Sequence, residues 1–266
     1  MITKEDIIAY IQKIPPAPKV VQECIVLLQA GELRKASLAA KEDKALTSYL
    51  KHLVNKPIYG FSKEVNDVTQ IFSILGVSKS LQSIYNYLLS MLSPSKWSFF
   101  ALDEATFHEL QAELSASWNK ILEKQGVVDK EIESSITLLP AAIIVCEAIF
   151  SEHEKDVALI RSSKDLDLNT ILKRLSGFVL FDVCKMIALK WEMSPRIVTI
   201  LEYALKRDAQ EGDELKVYGK WIHLLLFFTL SKPNYINAKL NDFLEFDVAY
   251  VEDIYEEFAQ FMEIES

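Results

Sequence analysis

The stretch DKALTSYLKHLVNKPIYGFSKEVNDVTQIFSILG, Asp43 to Gly76, decides the fold class. Asp43 is placed to cap a short helix over Ala45–Val54, because its carboxylate can accept from the first free backbone N–H groups. Lys56-Pro57-Ile58-Tyr59-Gly60 then reads as a turn, since proline and glycine punctuate both helix and strand patterns. A second helix follows over Val68–Leu75 and stops at Gly76, a residue suited to a helix C-terminus. Helix, turn and helix succeed one another with no alternating apolar and polar run that would mark a strand.

The same pattern extends in both directions. Toward the N-terminus, Thr3 and Asp6 form a candidate capping box ahead of the stripe Ile7, Ile8 and Ile11. Ile14-Pro15-Pro16-Ala17-Pro18 breaks that helix. Val20, Val21, Cys24, Leu27 and Leu28 then line one face of the next, and Leu33–Ala40 forms another. Toward the C-terminus, Val77–Leu92 reads as a helix stopped near Pro94, and Asp103–Lys124 as a long amphipathic one. Asp129–Phe150 is helical and strongly apolar in its second half; Pro140 predicts a bend or a restart within it. Helices over Leu168–Leu175, ending at Gly177, then Phe178–Trp191 and Ser194–Arg207 follow. A polar linker, Asp208–Glu214, precedes Val217–Leu230 and Asp247–Met262. The expectation is an all-α fold of two helical lobes, 1–95 and 96–207, with a C-terminal helical extension at 208–266.

Composition narrows the function classes. The 266-residue chain is 50% hydrophobic and 25% charged, which suits a packed globular core. Its seven glycines include no G-x-G and no G-K-[ST], so the usual glycine cradles for phosphates are missing. Cys24, Cys146 and Cys184 are far apart in apolar surroundings and read as core thiols, not as a disulfide framework or a zinc ribbon. His52, His108, His153 and His223 form no metal-ligand spacing. No G-x-S-x-G elbow occurs. The N-terminus lacks the apolar run of a signal peptide, and the apolar stretches Ile136–Phe150 and Trp221–Leu230 fall short of the roughly 18–20 residues of a membrane span. A soluble, cytoplasmic protein is expected.

The net charge of −9 is localised. Residues 1–240 hold 29 acidic and 29 basic side chains, whereas residues 241–266 hold nine acids and no Lys or Arg. Without a basic face, nucleic acid is not an expected partner. The acidic end is nonetheless periodic. Val248, Val251, Ile254, Tyr255, Phe258, Phe261 and Met262 fall on one stripe, with Glu252, Asp253, Glu256 and Glu257 opposite. Such a helix needs an apolar partner, either its own domain, where the matching face is Trp221, Leu224, Leu225 and Phe228, or a second chain. The acids are expected to leave a negative outer surface.

Three stretches together resemble the HDOD domains, relatives of the HD phosphohydrolases that act as bacterial signalling outputs. The first is Ile14-Pro15-Pro16-Ala17-Pro18-Lys19-Val20-Val21. The second runs from Asp43-Lys44-Ala45-Leu46 through Leu53-Val54-Asn55-Lys56-Pro57-Ile58-Tyr59-Gly60 to Leu75-Gly76, similar to the family's D-P-x-L, N-S-P-x-Y-G and L-G. The third is Leu175-Ser176-Gly177-Phe178 with Trp191-Glu192-Met193-Ser194-Pro195. Pro15, Pro16, Pro18, Asn55, Pro57, Tyr59, Gly60, Gly76, Gly177 and Trp191 are the signature positions. Read for chemistry they are structural: Asn55 and Pro57 fix a turn, Tyr59 packs, Gly60 allows positive φ, and Trp191 plugs a core.

The resemblance implies an N-terminal helical lobe and an HD-like lobe. In HD enzymes, His and Asp side chains hold a divalent metal that lowers the pKa of a bound water. The corresponding positions fall here on Lys120, Pro140, Ala141, Leu180, Ala204 and Leu205, none of which donates to a metal at neutral pH. The resemblance therefore implies the fold without the hydrolase chemistry: no catalytic residues, no metal and no cofactor. The expected function is non-catalytic signalling through binding to other signalling proteins or to itself, without nucleic acid or membrane insertion. The alternatives are a small-molecule sensor with a ligand between the lobes and, third, a degenerate metal-dependent phosphohydrolase.

Overall fold

The structure is a computed structural model that describes residues 2–55, 63–164, 166–205, 213–243 and 247–264. Among the described residues there are helices, turns and bends but no strand. The chain divides into two compact units. Unit 2 comprises Pro16–Met91 and Asp129–Ser134; unit 1 comprises Met1–Pro15, Leu92–Val128 and Ser135–Ser266. Thus α1 (Lys4–Lys13) and the helices after residue 213 share a unit with residues 96–128 and 135–205.

In unit 2, α2 (Lys19–Gln29) packs on α3 (Leu33–Ala40), burying Val21, Cys24 and Leu28. Helix α4 (Lys44–Val54) begins where Asp43 accepts from Ala45 N and Leu46 N, both at 2.9 Å. Asn55 closes its far end. Its Nδ2 donates to Lys51 O at 2.8 Å and to Val65 O at 3.0 Å, and its Oδ1 accepts from Val65 N at 2.8 Å. One amide thereby joins the helix end to the chain ten residues on. Lys56, Pro57, Ile58, Tyr59 and Gly60 lie outside the described residues. Helix α5 (Val68–Leu92) is broken at Gly76, whose φ of 71° and ψ of −178° suit glycine and strain other residues. The short α7 (Lys130–Ser134) belongs here through its hydrogen bonds: Lys130 Nζ donates to Leu28 O and Gln29 O at the C-terminus of α2, and Gln82 Nε2 donates to Glu133 O. A cation at a helix C-terminus is favoured by the exposed carbonyls and the dipole.

In unit 1, α1 starts at the capping box, with Thr3 N donating to Asp6 at 2.8 Å and Asp6 N donating to Thr3 Oγ1 at 3.2 Å. It ends at Ile14, ahead of exposed Pro15 and Pro16 and half-buried Pro18. A 3-10 turn over Ser135–Thr137 leads into α8 (Leu138–Glu152), so the helix restarts and Pro140 sits in its first turn, where a missing N–H costs nothing. With α7 the helical run from Lys130 to Glu152 reaches 23 residues, long and apolar enough to cross a membrane, contrary to the length expected for this stretch. Its most apolar window is 89% buried inside the protein, which accounts for the apolar sequence. Helix α8 packs against α1, α6 (Glu104–Lys124) and α11 (Leu180–Lys190).

Glu147 is the buried acid of α8, at 2% exposed. It accepts from Ser98 N, from Phe99 N at 3.0 Å and from Phe100 N at 2.8 Å, and from Ser151 Oγ at 2.9 Å. A buried carboxylate is stable because these donors replace its water. The clamp sets the loop before α6 so that Phe99 and Phe100 pack on Phe150, with Phe243 against Phe100 and Phe150.

Helices α9 (Glu154–Lys164) and α14 (Pro233–Asn237) were not expected from periodicity; α9 has low amphipathic contrast and α14 spans only five residues. Helix α10 (Leu168–Ser176) ends at Gly177 in the left-handed region. Trp191 is half-buried at the C-cap of α11, not a core plug; the enclosed tryptophans are Trp118 and Trp221.

Candidate functional site: a pocket at the degenerate metal positions

The six positions that the resemblance equates with HD metal ligands separate into three groups. Pro140 and Ala141 lie in α8 inside the core, with Ala141 fully buried. Lys120 lies on α6, and its ammonium pairs with Glu263 at 2.7 Å, which holds that carboxyl below its usual range. Leu180, Ala204 and Leu205 come together around a pocket of about 210 Å³. This set does not fit a divalent metal: three aliphatic side chains, a proline, an alanine and a paired ammonium contain no donor. Among the described residues, no three His, Cys, Asp or Glu side chains gather so as to hold a metal ion.

The pocket is built from four helices. Helix α10 contributes Asn169 and Lys173, and the N-terminus of α11 contributes Leu180, Phe181 and Asp182. The C-terminus of α12 (Pro195–Ala204) supplies Ala204 and Leu205, and α13 (Leu215–Leu230) supplies His223, Leu226 and Phe227. Phe243 closes one side. Lys173 and Gly177 are exposed at the rim, while Leu180, Phe181, Leu226 and Phe243 are buried.

The polar wall groups hold the helix ends together. Asn169 Oδ1 accepts from Leu180 N at 3.0 Å, and Asp182 Oδ2 accepts from Val179 N at 3.1 Å. Both satisfy N–H groups at the start of α11 that the helix itself cannot satisfy. His223 Nδ1 is 3.1 Å from Ala204 O. A carbonyl only accepts, so that nitrogen carries the proton. The ring of His223 stacks on Phe181 at 6.1 Å and meets Tyr250 edge-on at 5.6 Å.

Helices α12 and α13 approach closely because Gly219 faces Tyr203 and Ala204, where a Cβ would lie 2.5 Å from Tyr203 Cβ. The Tyr203 hydroxyl donates to Asp213, and the Tyr250 hydroxyl donates to Tyr203 O. Burial pushes the Tyr250 hydroxyl up to about 12, so it remains a donor at neutral pH. None of His223, Asn169, Asp182 or Gly219 carried a sequence signal for a pocket, because they converge from helices separated along the chain.

The signature positions of the resemblance do not gather at this pocket, apart from Gly177 at its rim. Asn55 and Gly76 lie in unit 2, and Pro57, Tyr59 and Gly60 are outside the described residues. The linker and lobe boundary placed at 207–208 also fall outside them, except Asp213 and Glu214.

Residues 14–206 match the family described as the HDOD domain. No curated protein matches the chain. Among solved structures, an HDOD domain protein of unknown function from Geobacter sulfurreducens is similar at 13% identity and a TM-score of 0.64, over 98% of this chain and 95% of that one. A protein from Shewanella amazonensis SB2B, provisionally described as a phosphohydrolase, is similar at 14% identity and a TM-score of 0.62, over 97% and 96%. At these identities the likeness is one of fold. It runs beyond residue 206, so the helices after the family match belong to an architecture shared with those proteins. With nearly three quarters of its length matched, the chain belongs to the HDOD domain family.

Proposed function

We propose that this HDOD protein is a non-catalytic regulatory protein of the bacterial cytoplasm, working by binding other signalling proteins or a second copy of itself. The observation that carries the reading is the chemistry of the six metal-ligand positions. The helical frame is retained, but Lys120, Pro140, Ala141, Leu180, Ala204 and Leu205 supply no group to bind a divalent ion or activate a water. A fold kept without its donor set is suited to presenting surfaces. The even charge balance of residues 1–240 supports protein partners over nucleic acid.

The test has two arms. Purified protein, assayed with bis(p-nitrophenyl) phosphate and added Mn²⁺, Fe²⁺ or Mg²⁺, should show no turnover above the metal blank, and elemental analysis should find no stoichiometric metal. Cross-linking in the native cell followed by reciprocal capture, with light scattering of the purified chain, should identify a signalling partner or a defined oligomer. Metal-dependent turnover that tracks the protein through purification would refute the reading. A second reading, a small-molecule sensor, is favoured by one observation: the pocket inside unit 1.

A further inference from the structure

We infer that the pocket bounded by α10, α11, α12 and α13 binds a small neutral molecule built on one or two fused rings; the inference rests on the sensor reading. Size comes first. At about 210 Å³ the pocket exceeds the ~150 Å³ of an apolar cavity that accepts benzene, so a ring compound fits. Lining comes second. Leu180, Phe181, Leu205, Leu226, Phe227 and Phe243 present carbon to the interior. Aromatic and aliphatic walls favour an apolar body, and the aromatic faces favour a flat one.

Charge decides against an ion. The pocket carries one ammonium, Lys173, and one carboxylate, Asp182, so opposite signs face one space and no net field selects an anion or a cation. Three polar atoms on the wall bond the wall itself: Asn169 Oδ1 to Leu180 N, Asp182 Oδ2 to Val179 N, and His223 Nδ1 to Ala204 O. Desolvating an ionised ligand against mostly carbon would cost more than these groups return. Exposed Lys173 and Gly177 leave a mouth open to solvent. Since the walls come from four helices, an occupant touches all four at once, which lets binding alter how they pack.

The experiment is isothermal titration of the full chain with three probes of one shape: indole, the anion indole-3-carboxylate and the cation tryptamine. It is repeated on Leu205→Trp and Val179→Trp, two half-buried lining positions where a larger side chain fills the pocket. Circular dichroism and thermal melting confirm that each variant folds, and either folded variant suffices. The expected result is saturable one-to-one binding of indole, weaker by at least about tenfold for both charged probes and in the filled variant. If a charged probe binds tighter than indole and is lost in the filled variant, the neutral-ligand inference is overturned while the sensor reading stands. If no probe binds saturably, or a folded filled variant binds indole unchanged, the inference and the sensor reading fall together.

Discussion

At the scale of single residues, two positions have effects far larger than their sequence context suggests. Gly219 lies in the middle of α13, where glycine costs a helix about 1 kcal/mol relative to alanine. The structure shows what outweighs that cost: a Cβ would stand 2.8 Å from the backbone of both Tyr203 and Ala204. Backbone cannot swing aside as a side chain can. Gly219→Ala should therefore destabilise by about 1–3 kcal/mol despite its better helix propensity, and a lower melting temperature by calorimetry checks it. Glu147 is the second. Glu147→Gln keeps the size but removes the charge and replaces one carboxylate oxygen with an N–H₂, which must face either Phe100 N or the pair Ser98 N and Phe99 N. Loss of about 3 kcal/mol is expected, since bonds to a charged acceptor are strong and orphaned donors are costly. Urea unfolding followed by tryptophan fluorescence measures it, because Trp97, Trp118, Trp191 and Trp221 all lie in unit 1.

At the scale of elements, α15 (Val248–Met262) shows what an amphipathic pattern can and cannot say. It docks on α13 as its apolar stripe predicts, with Trp221 stacked on Phe258 and Phe261 and with Phe228 edge-on to Phe258. The buried face is narrower than the stripe: Val251, Ile254 and Phe258 are buried, whereas Val248 is 63% and Tyr255 48% exposed. The acids Glu252, Asp253, Glu256 and Glu257 are exposed, as expected of an outer face, yet some also tie the helix down: Asp253 pairs with Lys220, Glu257 accepts from Gln125 at 2.7 Å and Glu263 pairs with Lys120. Each surface ion pair adds little, roughly 0–1 kcal/mol, so the apolar contacts dominate. Deleting residues 247–266 should expose Trp221 and Phe228, lower the melting temperature and produce oligomers by light scattering. A truncated chain that stayed monomeric at the parental melting temperature would show the docking to be dispensable.

At the scale of the whole molecule, the three cysteines report on the two units separately. Cys24 lies in unit 2; Cys146 and Cys184 lie in unit 1, and all are buried. Burial pushes the Cys24 thiol up to about 12 and raises the other two further. All three should resist alkylation under native conditions, since the thiolate is the nucleophile. In rising urea, Cys24 should be labelled first, read by peptide mass spectrometry, because the smaller unit buries less surface. The sign of the pH effect follows from the raised thiol values. The folded state keeps protons that the unfolded state releases near the ordinary value of 9.0. This contribution to stability is whole below that value and is lost as pH rises toward about 12, so the urea midpoint should fall over that interval.

The sequence by itself determined the all-α class, most helix limits, the break at Gly76, the restart near Pro140 and the partner face of α15. Each depends on local backbone chemistry or on a period of 3.6 residues, and both are written in neighbouring positions. The lack of a metal donor at Lys120, Pro140, Ala141, Leu180, Ala204 and Leu205 is likewise a matter of residue type, though their correspondence to metal ligands is only what the resemblance implies. Only the tertiary structure decided that Leu180, Ala204 and Leu205 share a pocket with His223 and Asn169, that Glu147 clamps a loop almost fifty residues away in the chain, and that Asp253, Glu257 and Glu263 are paired. These are convergences across long sequence separations. A carboxylate, an imidazole or a glycine has the same local signature whether it faces water or closes a core, and the packing of distant helices alone settles which.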